Sequence, residues 1–311
     1  MGKVSFRENF GKYLIMLNFL DFLYGKLPNQ GLFWRSIRYG VRIFTNIYAN
    51  YFIPVCCKNV NVDSNTIIVS LTSFPARIND VWITIASLLN QDYQNMKVVL
   101  WLSRVQFPTM AILPKKLLAL QSKGLTIHLV EDDMKPHKKY LYSMQMYPQN
   151  SIVTVDDDII YPPKLISQLV LTSLQYKGCV ICTKAVTVSK EKYLCWDNCI
   201  SPDRRLKMIM PIGVGGVLYP PKAFNYSYLF DTDTIKQTCL YGDDLWLNFM
   251  CRLNGTEIVK TTYCPGLITI FASQKASLCR VNDNENRNDA QIESISVWAK
   301  NKFGIDFYVC K

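Results

Sequence analysis

The chain has 311 residues, 49% of them hydrophobic and 13% aromatic, and a formal net charge of +11. That length and apolar content exclude a disordered or fibrous chain and allow one large domain, or a domain with an appendage. No run of about eighteen apolar residues occurs, which argues against a spanning helix, and no stripe of base-stacking aromatics is interleaved with the basic charge, which argues against nucleic acid as a partner.

The first 62 residues hold eight Lys/Arg against two Asp/Glu, so more than half of the excess charge lies in this stretch. Such a segment suits an anionic partner. Its most apolar run, "YLIMLNFLDFLY", is short and interrupted by Asn18 and Asp21. Downstream, Arg35, Arg38 and Arg42 fall on one face of a predicted helix, with Trp34, Ile37, Phe44 and Tyr48 as apolar bulk around it. Two arrangements fit. Residues 1–55 make peripheral contact with a membrane interface, or they form a helical hairpin capping the main body with the arginines solvated.

Asn, Asp and Ser cluster near residues 59–66 as a linker, separating a basic helical extension (1–62) from the main domain (63–311). Strands are then predicted at "IIVSL" (67–71), "KVVLWL" (97–102), "LTIHLV" (125–130), "IVTV" (152–155) and "CVICT" (179–183). Helices are predicted near 79–90, 114–123, 137–147 and 162–177. Apolar strands alternating with helices give an α/β fold with a mostly parallel sheet, buried on both faces. "PIGVGGVLYPP" (211–221) is glycine-rich but runs into prolines rather than a helix, so it is a turn or a close approach of ligand to backbone, not a dinucleotide fingerprint. "NDNENRND" (282–289) reads as a polar loop leading to a helix over Ala290–Lys302.

Eleven cysteines, an odd number, with no stretch that reads as a secretory signal peptide, point to reduced thiols in a cytoplasmic setting. Cys179, Cys182, Cys195 and Cys199 imitate a zinc spacing. "CVICT" reads as a strand, however, and sends residues three apart to opposite faces, which favours buried free thiols. His128, inside a strand, reads as structural.

In open α/β sheets ligands bind beyond the carboxyl ends of the strands. Asp156, Asp157 and Asp158 follow "IVTV", Glu131, Asp132 and Asp133 follow "LTIHLV", and Thr72 and Ser73 follow "IIVSL" with Arg77 close behind. Clustered carboxylates become favourable when a hard cation such as Mg²⁺ or Mn²⁺ neutralises them, and such ions use one or two carboxylates together with substrate phosphates. Arg77, Lys138 and Lys139 add positive charge suited to those phosphates. The alternative for the triplet is a solvated acidic turn.

"VSLTSFPARI", "SLLNQDY", "VDDDIIYPP" and "GDDLWLN" together resemble nucleotide-sugar-dependent glycosyltransferases of the GT-A fold, of the kind that builds bacterial capsule or lipopolysaccharide, and more distantly the exostosin-like domain. The resemblance covers about residues 65–300. It implies a metal-dependent hexosyltransferase that takes a sugar from a nucleotide-sugar, most simply a UDP-sugar, to a glycan or lipid-linked glycan acceptor with inversion. It further implies cell-surface polysaccharide synthesis at the inner face of the membrane. By the same resemblance Asp158 is the direct metal ligand and Asp156 its companion and the ribose contact, with Asp157 between them. Asp132 or Asp133 reads the base, Thr72 and Arg77 contact the donor and Lys139 a phosphate. In "YGDDLWLNF", Asp244 is the catalytic base and Asp243 holds acceptor hydroxyls; the alternative is an Asp pair capping the following helix. Relatives often carry a late histidine ligand, whereas here both histidines precede the triplet, leaving water, Asp283 or Asp289 for that place. The alternatives are a sugar-phosphate nucleotidyltransferase, whose glycine-rich phosphate loop "SLTSFPAR" lacks, and a catalytically silent carbohydrate-binding protein.

Overall fold

A computed structural model describes residues 2–55, 57–58, 60–273 and 286–308, with side chains from residue 11 onward. Two long helices, α1 (Gly2–Lys26) and α2 (Leu32–Phe52), form an N-terminal hairpin. The body opens with three strand–helix units: β1 (Ile67–Thr72), α3 (Val81–Leu89), β2 (Met96–Ser103), α4 (Lys115–Ala119), β3 (Leu125–Val130) and α5 (Lys138–Met146). β4 (Ile152–Thr154) follows, then a two-residue strand β5 (Ile159–Ile160) directly after the aspartates, α6 (Leu165–Gln175) and β6 (Val180–Cys182). The second half contributes β7 (Ala185–Thr187), β8 (Arg205–Leu206), β9 (Ile209–Pro211), β10 (Val217–Tyr219), α7 (Tyr226–Leu229), α8 (Thr232–Thr238), α9 (Asp243–Leu253), β11 (Ile258–Lys260) and β12 (Ile268–Thr269). A C-terminal helix, Arg287–Phe303, closes the described chain.

The main sheet has eight strands in the order β3-β2-β1-β4-β10-β6-β11-β8. β1, β2, β3 and β4 run parallel to one another, as do β6 and β11. The α/β sheet flanked by helices, with helices at the N-terminus, is the arrangement expected from the sequence.

Alternation along the strands splits the interior in two. Ile67, Val69 and Leu71 of β1 join a cluster with α3, α6 and, from the hairpin, Tyr13, Leu17 and Ala49. Ile68, Val99 and Trp101 join α5, α9 and the C-terminal helix on the other face. Each strand is therefore apolar on both sides, which is why the run is continuous rather than alternating.

β10 departs from the parallel pattern. It runs antiparallel between β4 and β6, with Val217 opposite both Thr154 and Cys182. Its entry point therefore lies at the same edge as the end of β4, and this carries Gly213–Gly216 to the aspartates. The C-terminal helix starts at Arg287, so residues 287–289 are helical rather than part of the polar loop; residues 282–285 of that expected loop, Asp283 included, lie outside the described residues.

Candidate active site

Two acid–base clusters occupy the carboxyl edge of β1 and β4. The first is closed. Asp157 is buried, accepts hydrogen bonds from Arg77 and Ser73 at 2.6 Å each, and its backbone carbonyl accepts from Thr84 Oγ1 at 3.0 Å. The other arm of the same guanidinium reaches Asp158 at 3.2 Å. Burial pushes the Asp157 carboxyl up, and Arg77 works against that shift. Arg77 is thereby the clasp of the triplet, with two of its nitrogens on carboxylates.

The second cluster is centred on Lys139, which is buried and sits 2.9 Å from both Asp156 Oδ1 and Asp243 Oδ2. Burial alone would lower this lysine, but Asp156, Asp243 and Asp244 hold it well above its ordinary value. Asp243 and Asp244 begin α9, where carboxylates are favoured by the helix dipole. The backbone N–H of Gly213 donates to Asp244 Oδ2 at 2.9 Å. A Cβ on Gly213 would stand 2.9 Å from Asp244 Oδ1 and 3.2 Å from Lys139 Nζ, so any larger residue would displace one of these charged groups. Burial, with Asp243 next and Asp156 adding to it, pushes the Asp244 carboxyl up to about 8, against the pull of Lys139.

These side chains are aimed by the surrounding structure. Ser70 of β1 bonds the Lys139 carbonyl and the Ser143 hydroxyl, and Trp101 Nε1 donates to Ser143 at 2.7 Å, seating α5 on the sheet. His137 is buried, with its ring bonded to Tyr140 Oη at 2.8 Å and to the Cys239 carbonyl at 2.7 Å; this ties the start of α5 to the turn before α9. Tyr161 Oη accepts from the Asp156 N–H at 2.9 Å and donates to the Val214 carbonyl at 3.1 Å, joining the triplet to the glycine segment.

The remaining residues singled out in the sequence lie in varied settings. Thr72 spends its hydroxyl on the Trp101 carbonyl at 2.8 Å. Asp133 is held by Lys135 at 2.6 Å and by Lys138; burial would raise it, but those hydrogen bonds prevail and keep it low. Asp132 is exposed, with Lys236 at 3.7 Å. His128 stacks on Trp101 with ring centres 4.6 Å apart. Asp289 accepts from the Tyr193 N–H at 2.8 Å. Cys182 and Cys199 direct their sulfurs to the carbonyls of Val259 and Ser201 at 3.8 Å. A depression of about 690 Å³ lined by Thr187, Asp197, Ile200 and Met208 contains none of these acids.

Sequence reading missed Tyr161, Gly213 and Arg42. Arg42, from α2, donates to the Thr269 carbonyl at 3.1 Å and lies 4.1 Å from the centre of the Phe271 ring, with Asp158 among the charges acting on it. The "YPP" after the triplet and the glycine run were visible, but their partnership depends on the antiparallel entry of β10.

Five carboxylates, Asp156, Asp157, Asp158, Asp243 and Asp244, thus face two buried cations, Arg77 and Lys139. The surplus adds to burial in raising Asp244, and a divalent cation would relieve the surplus. No group of three or more His, Cys, Asp or Glu among the described residues is placed to hold a metal ion by itself. Asp156 and Asp158 supply carboxylate oxygens, the donor type that Mg²⁺ or Mn²⁺ takes alongside substrate phosphates, and each is ion-paired here, to Lys139 and Arg77.

No protein-family model and no curated protein sequence matches the chain. Among solved structures, S. aureus TarS 1–349 overlaps at 12% identity and a TM-score of 0.43, over 64% of this chain and 59% of that 1–349 chain. A mannosyltransferase from Pyrobaculum calidifontis in complex with GDP-Man and Mn²⁺ overlaps at 11% and 0.41, over 86% of this chain and 74% of its own. A UTP-bound UGPase from Acinetobacter baumannii gives 8% and 0.40, over 70% and 94%. Likeness at this level says nothing about activity.

Proposed function

We propose that the chain is a glycosyltransferase of GT-A type. It takes a sugar from a nucleotide-sugar, most simply a UDP-sugar, and delivers it to a glycan hydroxyl with inversion. The observation that carries this reading is the Lys139 cluster: a partly buried carboxyl pushed up to about 8, beside a glycine backbone and the aspartate triplet. A general base works best when its pKa lies near the working pH. Asp244 has that property and Gly213 fixes its orientation, so it takes the proton of the attacking hydroxyl. Asp243, held by Lys139, orients the acceptor.

Asp158 and Asp156 would hold Mg²⁺ or Mn²⁺, which when bound neutralises the departing diphosphate. Lys139 is aimed at the same region and adds a fixed positive charge beside the phosphates. Arg77 and Asp157 keep the triplet in place, Thr72 bounds the nucleotide side, and exposed Asp132 is better placed than Asp133 to read the base, because Asp133 already has two lysine partners.

The test is calorimetry with UDP-, GDP- and CMP-sugars, with and without Mn²⁺, followed by product assay. Metal-dependent binding of one nucleotide-sugar, with release of its nucleoside diphosphate on adding acceptor, is expected. Pyrophosphate-dependent formation of nucleoside triphosphate from the same donor would instead establish a nucleotidyltransferase. Binding without either reaction would establish a silent binding protein.

A further inference from the structure

The N-terminal hairpin is amphipathic the wrong way round for a helix pair that merely caps a protein. On α2 Arg38 and Arg42 turn inward. Arg38 donates to the Tyr24 and Leu27 carbonyls that end α1, at 2.8 Å for the second, and Arg42 donates to Thr269. Thr45 and Ala49 are buried beside them. The opposite face carries Phe33, Phe44, Ile47 and Tyr51, spaced to fall on one side of the helix, with Phe33 68% and Tyr51 74% exposed. On α1, Phe19 and Phe22 add a second exposed apolar row. Rows this large left facing water are costly, and on a monomer they mark an interaction surface.

The exposed charge around these rows decides what covers them. Lys12 and Lys26 are exposed on the side of α1 that carries Phe19 and Phe22, and Lys26 lies 5.8 Å from the Phe22 ring. Asp21, the only acid among residues 11–55, is buried. Two copies of such a face would bring cation against cation across a symmetry axis. Anionic headgroups over an acyl layer match both the basic rim and the aromatic rows. Among the described residues no helix is long and apolar enough to cross a membrane, so the hairpin would lie along it.

We infer that the outward face of α1 and α2 docks on an anionic lipid surface, with the arginine face of α2 fastened to the protein body. The inner face reaches the site. Asn46 donates to Thr269 and accepts from the Phe271 N–H, both at 3.0 Å, and Ile270 N–H donates to the Asp158 carbonyl at 2.8 Å. Docking therefore sets the carboxyl edge of the sheet at a fixed height over the lipid.

The experiment is co-sedimentation of the full chain with phosphatidylcholine vesicles, with and without phosphatidylglycerol, in the absence of nucleotide. It reads docking whatever the catalytic reading's fate. The wild-type chain binds the anionic vesicles, and Phe44→Glu/Ile47→Glu lowers partition about a hundredfold or more. Lys12→Gln/Lys26→Gln lowers it about thirtyfold on anionic vesicles only, and this variant decides the matter should the first one lose its near-UV circular dichroism. Absence of wild-type binding, or equal partition of the variants, overturns the inference. A lipid-free dimer that Phe44→Glu/Ile47→Glu dissociates would assign the face to a second copy.

Discussion

The Arg77 and Lys139 clusters use the same residue types a few residues apart and are built to opposite ends. Around Arg77, the guanidinium takes two carboxylates and Ser73 and Thr84 complete Asp157. Around Lys139, one ammonium is shared by Asp156 and Asp243, and Asp244 is left with a backbone N–H. Charge that is matched and buried fixes geometry; charge in surplus at an open edge is available for chemistry. That difference explains how three adjacent aspartates fall to different tasks, with Asp157 and Asp158 buried on Arg77 and Asp156, less buried, turned to Lys139.

The largest expected effect is on the open cluster. Asp244→Asn keeps the side chain's shape and its contact with Gly213 but removes the base, so transfer falls about 10²–10⁴-fold while donor affinity holds. Steady-state turnover set beside calorimetry checks both halves. Turnover near the wild-type value would reduce Asp244 to a helix cap and dissolve the contrast between the clusters.

The closed cluster responds in stability instead. Arg77→Met leaves Asp157 buried without its cation and costs about 3–5 kcal/mol in chemical denaturation. Loss of donor binding with stability intact would show Arg77 to be a ligand contact rather than a clasp.

Smaller, and with a definite pH sign, is the titration of Asp244. Its carboxyl lies near 3.8 when unfolded and about 8 when folded. Folding therefore favours the protonated form, so its contribution to stability is complete below about pH 4 and is lost as pH rises through 8. Transfer needs the ionised form, and its rate climbs over the same upper part of the range. Lys139→Met removes an opposing charge, moves the rate limb to higher pH and steepens the loss of stability. Urea midpoints and rates measured between pH 5 and 9, taken as roughly the span in which carboxyl and lysine charge states separate, report both. A limb that stays put in the variant would show that Asp244 does not feel Lys139.

The strand–helix alternation was readable because burial on both faces writes continuous apolar runs into "IIVSL" and "KVVLWL". The aspartate triplet was readable because its acids have no place in a core. What one strand cannot write is its neighbour's direction: β10 is three residues long, and only its antiparallel seat between β4 and β6 brings Gly213 to Asp244. Pairing among charges was hidden for the same reason. Lys138 and Lys139 are adjacent in sequence, yet one bonds Asp133 and the other Asp156 and Asp243, because successive residues of a helix point about 100° apart. The alternation of arginines and aromatics in α2 was visible too, but not which side would face the protein. A capping hairpin with solvated arginines is one of the two arrangements the sequence allows, whereas Arg38 and Arg42 turn inward because the carbonyls at the end of α1 and at Thr269 need donors.

Gly213→Ala probes the smallest distance on which the contrast depends. Its added carbon would meet Asp244 Oδ1 at 2.9 Å and Lys139 Nζ at 3.2 Å, both closer than a relaxed contact. The backbone there is not left-handed, so the strain is purely one of space. Either the segment withdraws and lengthens its hydrogen bond to Asp244, or the carboxylate rotates off it. Both cost about 1–3 kcal/mol, the usual range for a methyl forced into a filled site. The carboxyl loses its orienting donor in each case, and turnover drops about tenfold with donor affinity and the Arg77 cluster untouched. The same loss of turnover accompanied by weaker donor binding would mean that Gly213 lines the donor's seat and that the base and donor sites cannot be separated at this glycine.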